Sequence, residues 1–157
     1  MFDKLQNPLA LAGRLLLATL LLRAGISRVA DFAQTVDYIS SMDLPLPNAA
    51  AALALVVELV GGVALVAGYG TRVVAVVLAM FMLVASFFFH NYWALPADQQ
   101  MIQQLMFMKN VAVVGGLLTL AAWGAGVWSM DGRGRHSIRH PIRRSDDFWI
   151  GDGGHHS

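Results

Sequence analysis

Cysteine is absent from the chain, which removes disulfides, thiol nucleophiles, iron–sulfur ligation and cysteine-based zinc sites together. Charge is scarce as well. Asp, Glu, Lys and Arg make up 13% of the 157 residues, against about 25% in an ordinary soluble domain, so there is too little polar surface to face water. A net charge of +1 and the lack of any basic stripe interleaved with aromatics exclude a nucleic-acid partner. No inverted repeat or interrupted helix points to a permease.

What fills the chain instead is apolar: 57% hydrophobic residues and a mean hydropathy of +0.57. They come in four runs, 9–26, 49–67, 73–89 and 106–123, each close to the roughly 18 residues that cross a hydrocarbon core. The runs are apolar on every face, without the alternation of barrel strands, so helices are the reading. The expected fold class is all-α, an integral membrane four-helix bundle over residues 1–131. A polar Arg-, Gly- and His-containing tail over 132–157, expected to be loosely ordered, follows it. The first run is longer than a signal-peptide core and lacks a basic leader, so it reads as an uncleaved span.

Asn7–Pro8 and Pro47–Asn48 suit the starts of the first and second helices, and Gly68-Tyr69-Gly70 makes a tight turn into the third. Lys4, Arg72, Arg133, Arg135, Arg139, Arg143 and Arg144 fall on one side, and Arg23, Arg28 and Lys109 on the other. The excess marks the cytoplasm, so both termini are expected there. Gln99, Gln100, Gln103 and Gln104 alternate with apolar residues at helical spacing. The fourth helix is therefore expected to begin as an amphipathic turn at the interface, anchored by Tyr92 and Trp93.

An ionisable side chain near a bilayer centre costs at least about 2.5–3.5 kcal/mol, so each one needs a partner or a wet cavity. Glu58 is the tenth residue of a nineteen-residue run, roughly 13–15 Å from either end. Arg14 lies roughly 8 Å inside the first span, and an Arg14–Glu58 pair is the expected arrangement. Small residues around Glu58 (Ala51, Ala54, Gly61, Gly62) let another helix approach. Such a pair serves function, or it fixes helix register and nothing more.

A second polar cluster gathers at the outer ends of the third and fourth helices: His90, Asn91, Trp93, Lys109 and Asn110, with Arg23 and Arg28 at the outer end of the first. Donors and one imidazole converging on an apolar cavity suit the oxygens of a quinone or quinol, whose redox change needs proton sites nearby. They also suit lipid head groups, to which Lys109 and the arginines can snorkel. The candidate site is Glu58 and His90 for protons, with Arg14, Arg28, Trp93, Lys109 and Asn110 binding the ligand. Haem is disfavoured because His90 is the single histidine of the membrane region, and no metal is expected.

The motifs taken in order resemble the DoxX family of small bacterial inner-membrane proteins over about residues 9–131. They are Arg14, Gly25-Ile26-Ser27-Arg28 with Phe32 and Tyr38, Glu58-Leu59-Val60-Gly61-Gly62, Gly68-Tyr69-Gly70-Thr71-Arg72, His90 with Trp93, Met106-Phe107-Met108-Lys109-Asn110 with Gly115-Gly116, and 124–131 ending in Ser129-Met130-Asp131. Arg28 stands where relatives commonly carry lysine, and Trp128 lengthens the Gly-rich segment before the final Asp. The resemblance implies a multi-pass protein of the bacterial inner membrane, associated with oxidoreductase complexes; relatives include proteins labelled as quinol oxidase subunits and a subunit of a thiosulfate:quinone oxidoreductase. Two functional readings stand: a quinone- or quinol-binding membrane subunit of an oxidoreductase with a redox-protein partner, or a non-enzymatic scaffold whose buried charges serve packing. Membrane lipid and self-association complete the expected partners.

Overall fold

A computed structural model describes residues 3–132 of the chain, with side chains from residue 5 onward. The polar tail expected after Asp131, apart from Gly132, lies outside the described residues. The helices are α1 (Asp3–Ala30), α2 (Phe32–Ser40), α3 (Pro47–Ala67), α4 (Thr71–Phe89) and α5 (Ala97–Trp123), with a 3₁₀ turn at Tyr92–Ala94 before α5. Four of them, α1, α3, α4 and α5, are long and apolar enough to cross a membrane, where the four runs lie. Their outward faces carry exposed Leu16, Val56, Val60, Val63, Val73, Val77 and Leu118, an apolar coat that water would not tolerate and lipid does.

Local structure departs from expectation in three places. Pro8 sits inside α1 and not at its start, and Asn7 does not cap it: its Oδ1 accepts a hydrogen bond from the Val127 amide at 3.3 Å. Pro47 does occupy the first turn of α3, but the cap residue before it, Leu46, is left-handed and makes no side-chain cap bond. The outer connection folds into α2, a nine-residue amphipathic helix with buried Ile39, too short to register as a hydrophobic run. The Gln-rich stretch forms the first turns of α5, as its spacing predicts.

The core joins all four long helices through Ala18 and Leu21, Leu65, Ala75, Leu78 and Ala79, and Val113, Val114, Leu117 and Leu120. α1 runs along α3 and α4 along α5, while α3–α4 and α1–α5 contacts close the bundle. Small residues set how closely these pairs approach. A methyl group added at Gly25 would come within 2.7 Å of Leu59 Cδ2, and one at Gly62 within 2.7 Å of Leu22 Cδ2. Gly25 thus lies level with Glu58–Leu59 and Leu22 level with Gly62, which fixes an antiparallel register between α1 and α3.

Alanine at Gly62 is expected to overpack the α1–α3 seam and alanine at Gly61 the α3–α4 seam, each costing roughly 1–3 kcal/mol. Gly61 faces Leu78 Cδ2, which a methyl group would approach to 2.7 Å, whereas Gly13 and Gly115 face open space. Alanine at Gly13 or Gly115 should leave stability unchanged or slightly raised. Thermal unfolding of the four variants in mild detergent checks this, and equal losses at all four would refute the close approach at both seams.

Candidate functional site

The buried charges separate into two groups at opposite ends of the bundle. At one end Arg14, 2% exposed, extends from α1 toward the segment that follows α5. Its Nη2 donates to the Trp128 carbonyl at 3.0 Å and its Nη1 to the Ala125 carbonyl at 3.4 Å. Asp131 caps α4 from the same segment: its Oδ1 accepts from the Gly70 amide and its Oδ2 from the Thr71 amide, both at 2.8 Å. Its own amide donates to the Gly68 carbonyl at 3.0 Å. A carboxylate at a helix N-terminus satisfies orphan amides and complements the helix dipole. Together with the Asn7–Val127 bond, these contacts clasp the start of α1, the α3–α4 turn and the end of α5 to one another.

Arg14 therefore does not pair with Glu58, contrary to expectation. In the antiparallel register Arg14 faces the Gly68 turn and Glu58 faces Gly25, eleven residues or roughly 16 Å apart along α1, beyond the reach of an arginine side chain. The partner is Arg28, whose Nε lies 3.0 Å from Glu58 Oε2. Arg28 stands one turn past Gly25 on the face of α1 turned to α3.

The Arg28–Glu58 pair belongs to the second group. A cavity of about 860 Å³ runs from mid-bundle toward the α2 end, lined by parts of α1, α2, α3, α4 and α5. Its walls are mostly apolar, with Phe81, Phe88 and Phe89 among them, and its polar lining includes Arg28, Glu58, Tyr38, His90, Lys109 and Asn110. Five residues singled out from sequence, Glu58, His90, Arg28, Lys109 and Asn110, thus meet on one cavity. Glu58 is 6% exposed, and the Arg28 guanidinium, 3.0 Å from its Oε2, offsets its charge.

Two polar rungs tie α4 to α5 beside this cavity. Asn110 Nδ2 donates to Ser86 Oγ at 2.9 Å, and that hydroxyl donates to the Met82 carbonyl at 2.7 Å. One turn outward, His90 Nδ1 lies 2.7 Å from Gln103 Oε1. Gln103, which touches the cavity through His90, is not singled out by the sequence as part of the site, although its spacing to Phe107 and Asn110, four and seven residues, places all three on one helix face. Tyr38 of α2 donates its hydroxyl to the Phe89 carbonyl at 3.2 Å and packs against the Phe89 ring at 5.9 Å. Burial raises the Tyr38 phenol above its ordinary pKa, so it remains a neutral donor.

Two expected ligand contacts stand apart from the cavity lining. Arg14 is in the clasp, and Trp93 packs with Phe87, Tyr92 and Phe107 at ring separations of 6.0, 5.2 and 5.7 Å. That aromatic cluster secures the 3₁₀ turn to the first turns of α5.

Comparison with known proteins places this architecture. The DoxX family pattern matches residues 9–91. The inner membrane protein YqjF of Escherichia coli is 35% identical over 131 residues, covering 82% of this chain and 93% of YqjF. The inner membrane protein YphA of the same organism is 32% identical over 132 residues, 84% of this chain and 94% of YphA. No solved structure matches. Four membrane-crossing helices and relatives named for the inner membrane make this a multi-pass inner-membrane protein, and the chain belongs to the DoxX family.

Proposed function

We propose that the chain is a membrane subunit of a redox system that binds quinone or quinol in the cavity between α2 and mid-bundle. The observation that carries this reading is the convergence of Glu58, Arg28, His90, Lys109 and Asn110 on one largely apolar cavity. Aromatic and aliphatic walls suit a lipid-soluble ring, and a few polar groups fix its orientation. Reduction of a quinone takes two electrons and two protons. Glu58 and His90 are the proton sites, Arg28 and Lys109 orient the head-group oxygens, and a redox-protein partner supplies or takes the electrons. With the basic excess read as the mark of the cytoplasm, the clasp end and both termini face that side and the cavity opens toward the outer half of the membrane in this reading.

The test is native mass spectrometry of gently extracted protein with quinone analysis of the same preparation, followed by quinol turnover with and without membrane fractions. Co-purifying quinone is the expected result. Glu58→Gln and His90→Phe should each weaken binding by about tenfold or more, the equivalent of one lost hydrogen bond to a buried group. A preparation carrying phospholipid alone, with no specific binding in either redox state, would instead favour the scaffold reading, which the Arg14 clasp already illustrates as a use of buried charge.

A further inference from the structure

The lining of the cavity is sorted by helix. α1 and α5 bring Ser27, Arg28, Lys109 and Asn110 to it, whereas α4 brings only apolar side chains before His90, and α3 only apolar ones between Glu58 and the α2 end. Three residues of that apolar side, Leu53 of α3 and Val84 and Phe88 of α4, line the cavity and are nonetheless 59%, 51% and 52% exposed. A side chain that does both stands at a rim. The antiparallel pairing sets the three at one level: Gly61 faces Leu78, so Leu53, eight residues nearer the α2 end, lies abreast of Ser86, midway between Val84 and Phe88. Leu53 is the seventh residue of α3, roughly 9 Å inside the end of that span, so this mouth opens on the acyl chains of lipid and not on head groups. A second rim, on the α1–α5 side, carries exposed Ser27 and Lys109 beside Leu20.

We infer that the ligand is a polar ring carrying a long apolar chain, and that the chain leaves the cavity between α3 and α4, past Leu53, Val84 and Phe88, into the surrounding lipid. This rests on the quinone reading above. Polar groups on α1 and α5 draw the ring to the side away from the mouth, so the ligand lies in one sense across the bundle. A cavity of about 860 Å³ holds the ring, but a long prenyl chain does not fit beside it and needs an apolar outlet. The α1–α5 rim is the poorer outlet, because a chain there would cover Ser27 and Lys109 and cost them water. A ligand polar on every face would gain nothing from an opening onto hydrocarbon. The three rim residues therefore determine which chains the site accepts.

The experiment uses the full-length protein in lipid nanodiscs and a decylubiquinone analogue bearing a diazirine midway along its alkyl chain. Irradiation should attach it to α3 and α4 around Leu53, Val84 and Phe88, and excess decylubiquinone should suppress the adduct. Leu53→Trp narrows the mouth and should weaken decylubiquinone about tenfold while changing the binding of the chainless ring, dimethoxymethylbenzoquinone, by about twofold or less. Val56→Trp adds the same bulk at an exposed position of α3 outside the cavity lining and should alter neither. The thermal midpoint identifies a variant that has lost its fold, and the wild-type adduct then decides. Adducts on α1 and α5 around Leu20, equal effects of Leu53→Trp on the two ligands, or a chain-dependent loss from Leu20→Trp instead, overturn the inference while binding of the chainless ring keeps the functional reading. An α3–α4 adduct that excess decylubiquinone does not displace marks a phospholipid chain at the mouth and overturns it as well. Binding of neither ligand overturns the functional reading and this inference with it.

Discussion

Alanine in place of Gly68 should abolish the folded bundle or lower its thermal midpoint more than alanine at Gly61, Gly62 or Gly70. Gly68 has φ +69°, and a side chain in the left-handed region costs roughly 1–2 kcal/mol. Its Cβ would also collide with Arg14 Nη1 and come within 2.5 Å of Ser129 Cβ. Neither neighbour can retreat, because Arg14 holds two carbonyls and Ser129 is buried with its hydroxyl on the Gly126 carbonyl. Overpacking adds roughly 1–3 kcal/mol, and displacing Arg14 unties the clasp as well. Gly70→Ala is the control, since Gly70 is also left-handed at φ +54° but has nothing within 4 Å. It should show the conformational cost alone, and Gly70→Asn should recover part of it. Unfolding curves in detergent that rank Gly70→Ala as the worse variant would contradict the clasp geometry.

Removing Arg28 should damage the protein more than neutralising Glu58, although the two form one ion pair. Glu58 has a side chain only 8% exposed against 34% for Arg28. Arg28→Ala strands a buried carboxylate, while Glu58→Gln leaves a cation that can turn toward the interface. Stranding a member of a fully buried pair costs roughly 3–5 kcal/mol. The partial exposure of Arg28 brings the expected loss to about 2–3 kcal/mol after allowance for solvent screening. The double variant Arg28→Ala/Glu58→Gln should recover most of that, because no uncompensated charge remains. A double-mutant cycle on thermal or denaturant unfolding measures this, and additive losses would show that the pair is not coupled.

Hydrophobicity made the membrane fold legible, because the length and all-round apolarity of four runs leave few alternatives in lipid. The separate polar residues were also legible, since each breaks an apolar run. Their pairing was not. Composition says that Glu58 needs a cation, but which one depends on helix register, and register is set by the side chains of Leu22 and Leu59 meeting Gly62 and Gly25 across the α1–α3 seam. A helix pair slides by one turn with no change in its apolar pattern. Arg14 therefore looked available to Glu58 from sequence and proves to face the far end. For the same reason Gln103 read as part of an interfacial stripe: nothing in its own helix reveals that His90 stands opposite. The helix α2 escaped notice because nine amphipathic residues carry too weak a periodic signal beside spans twice as long.

The clasp gives the molecule an order of assembly. Asn7 and Arg14 are made first and Trp128 and Asp131 after the four spans, yet they bind one another. During synthesis the α1–α3 and α4–α5 pairs can insert and dock as neighbours, but buried Arg14 has no carbonyls to hold until residues 125–128 arrive. Until then an arginine sits near a membrane boundary with its charge unmet. A nascent chain in that condition also lacks the Asp131 cap on α4 and the Asn7–Val127 bond, so the clasp closes only once the last span and the segment after it have been made.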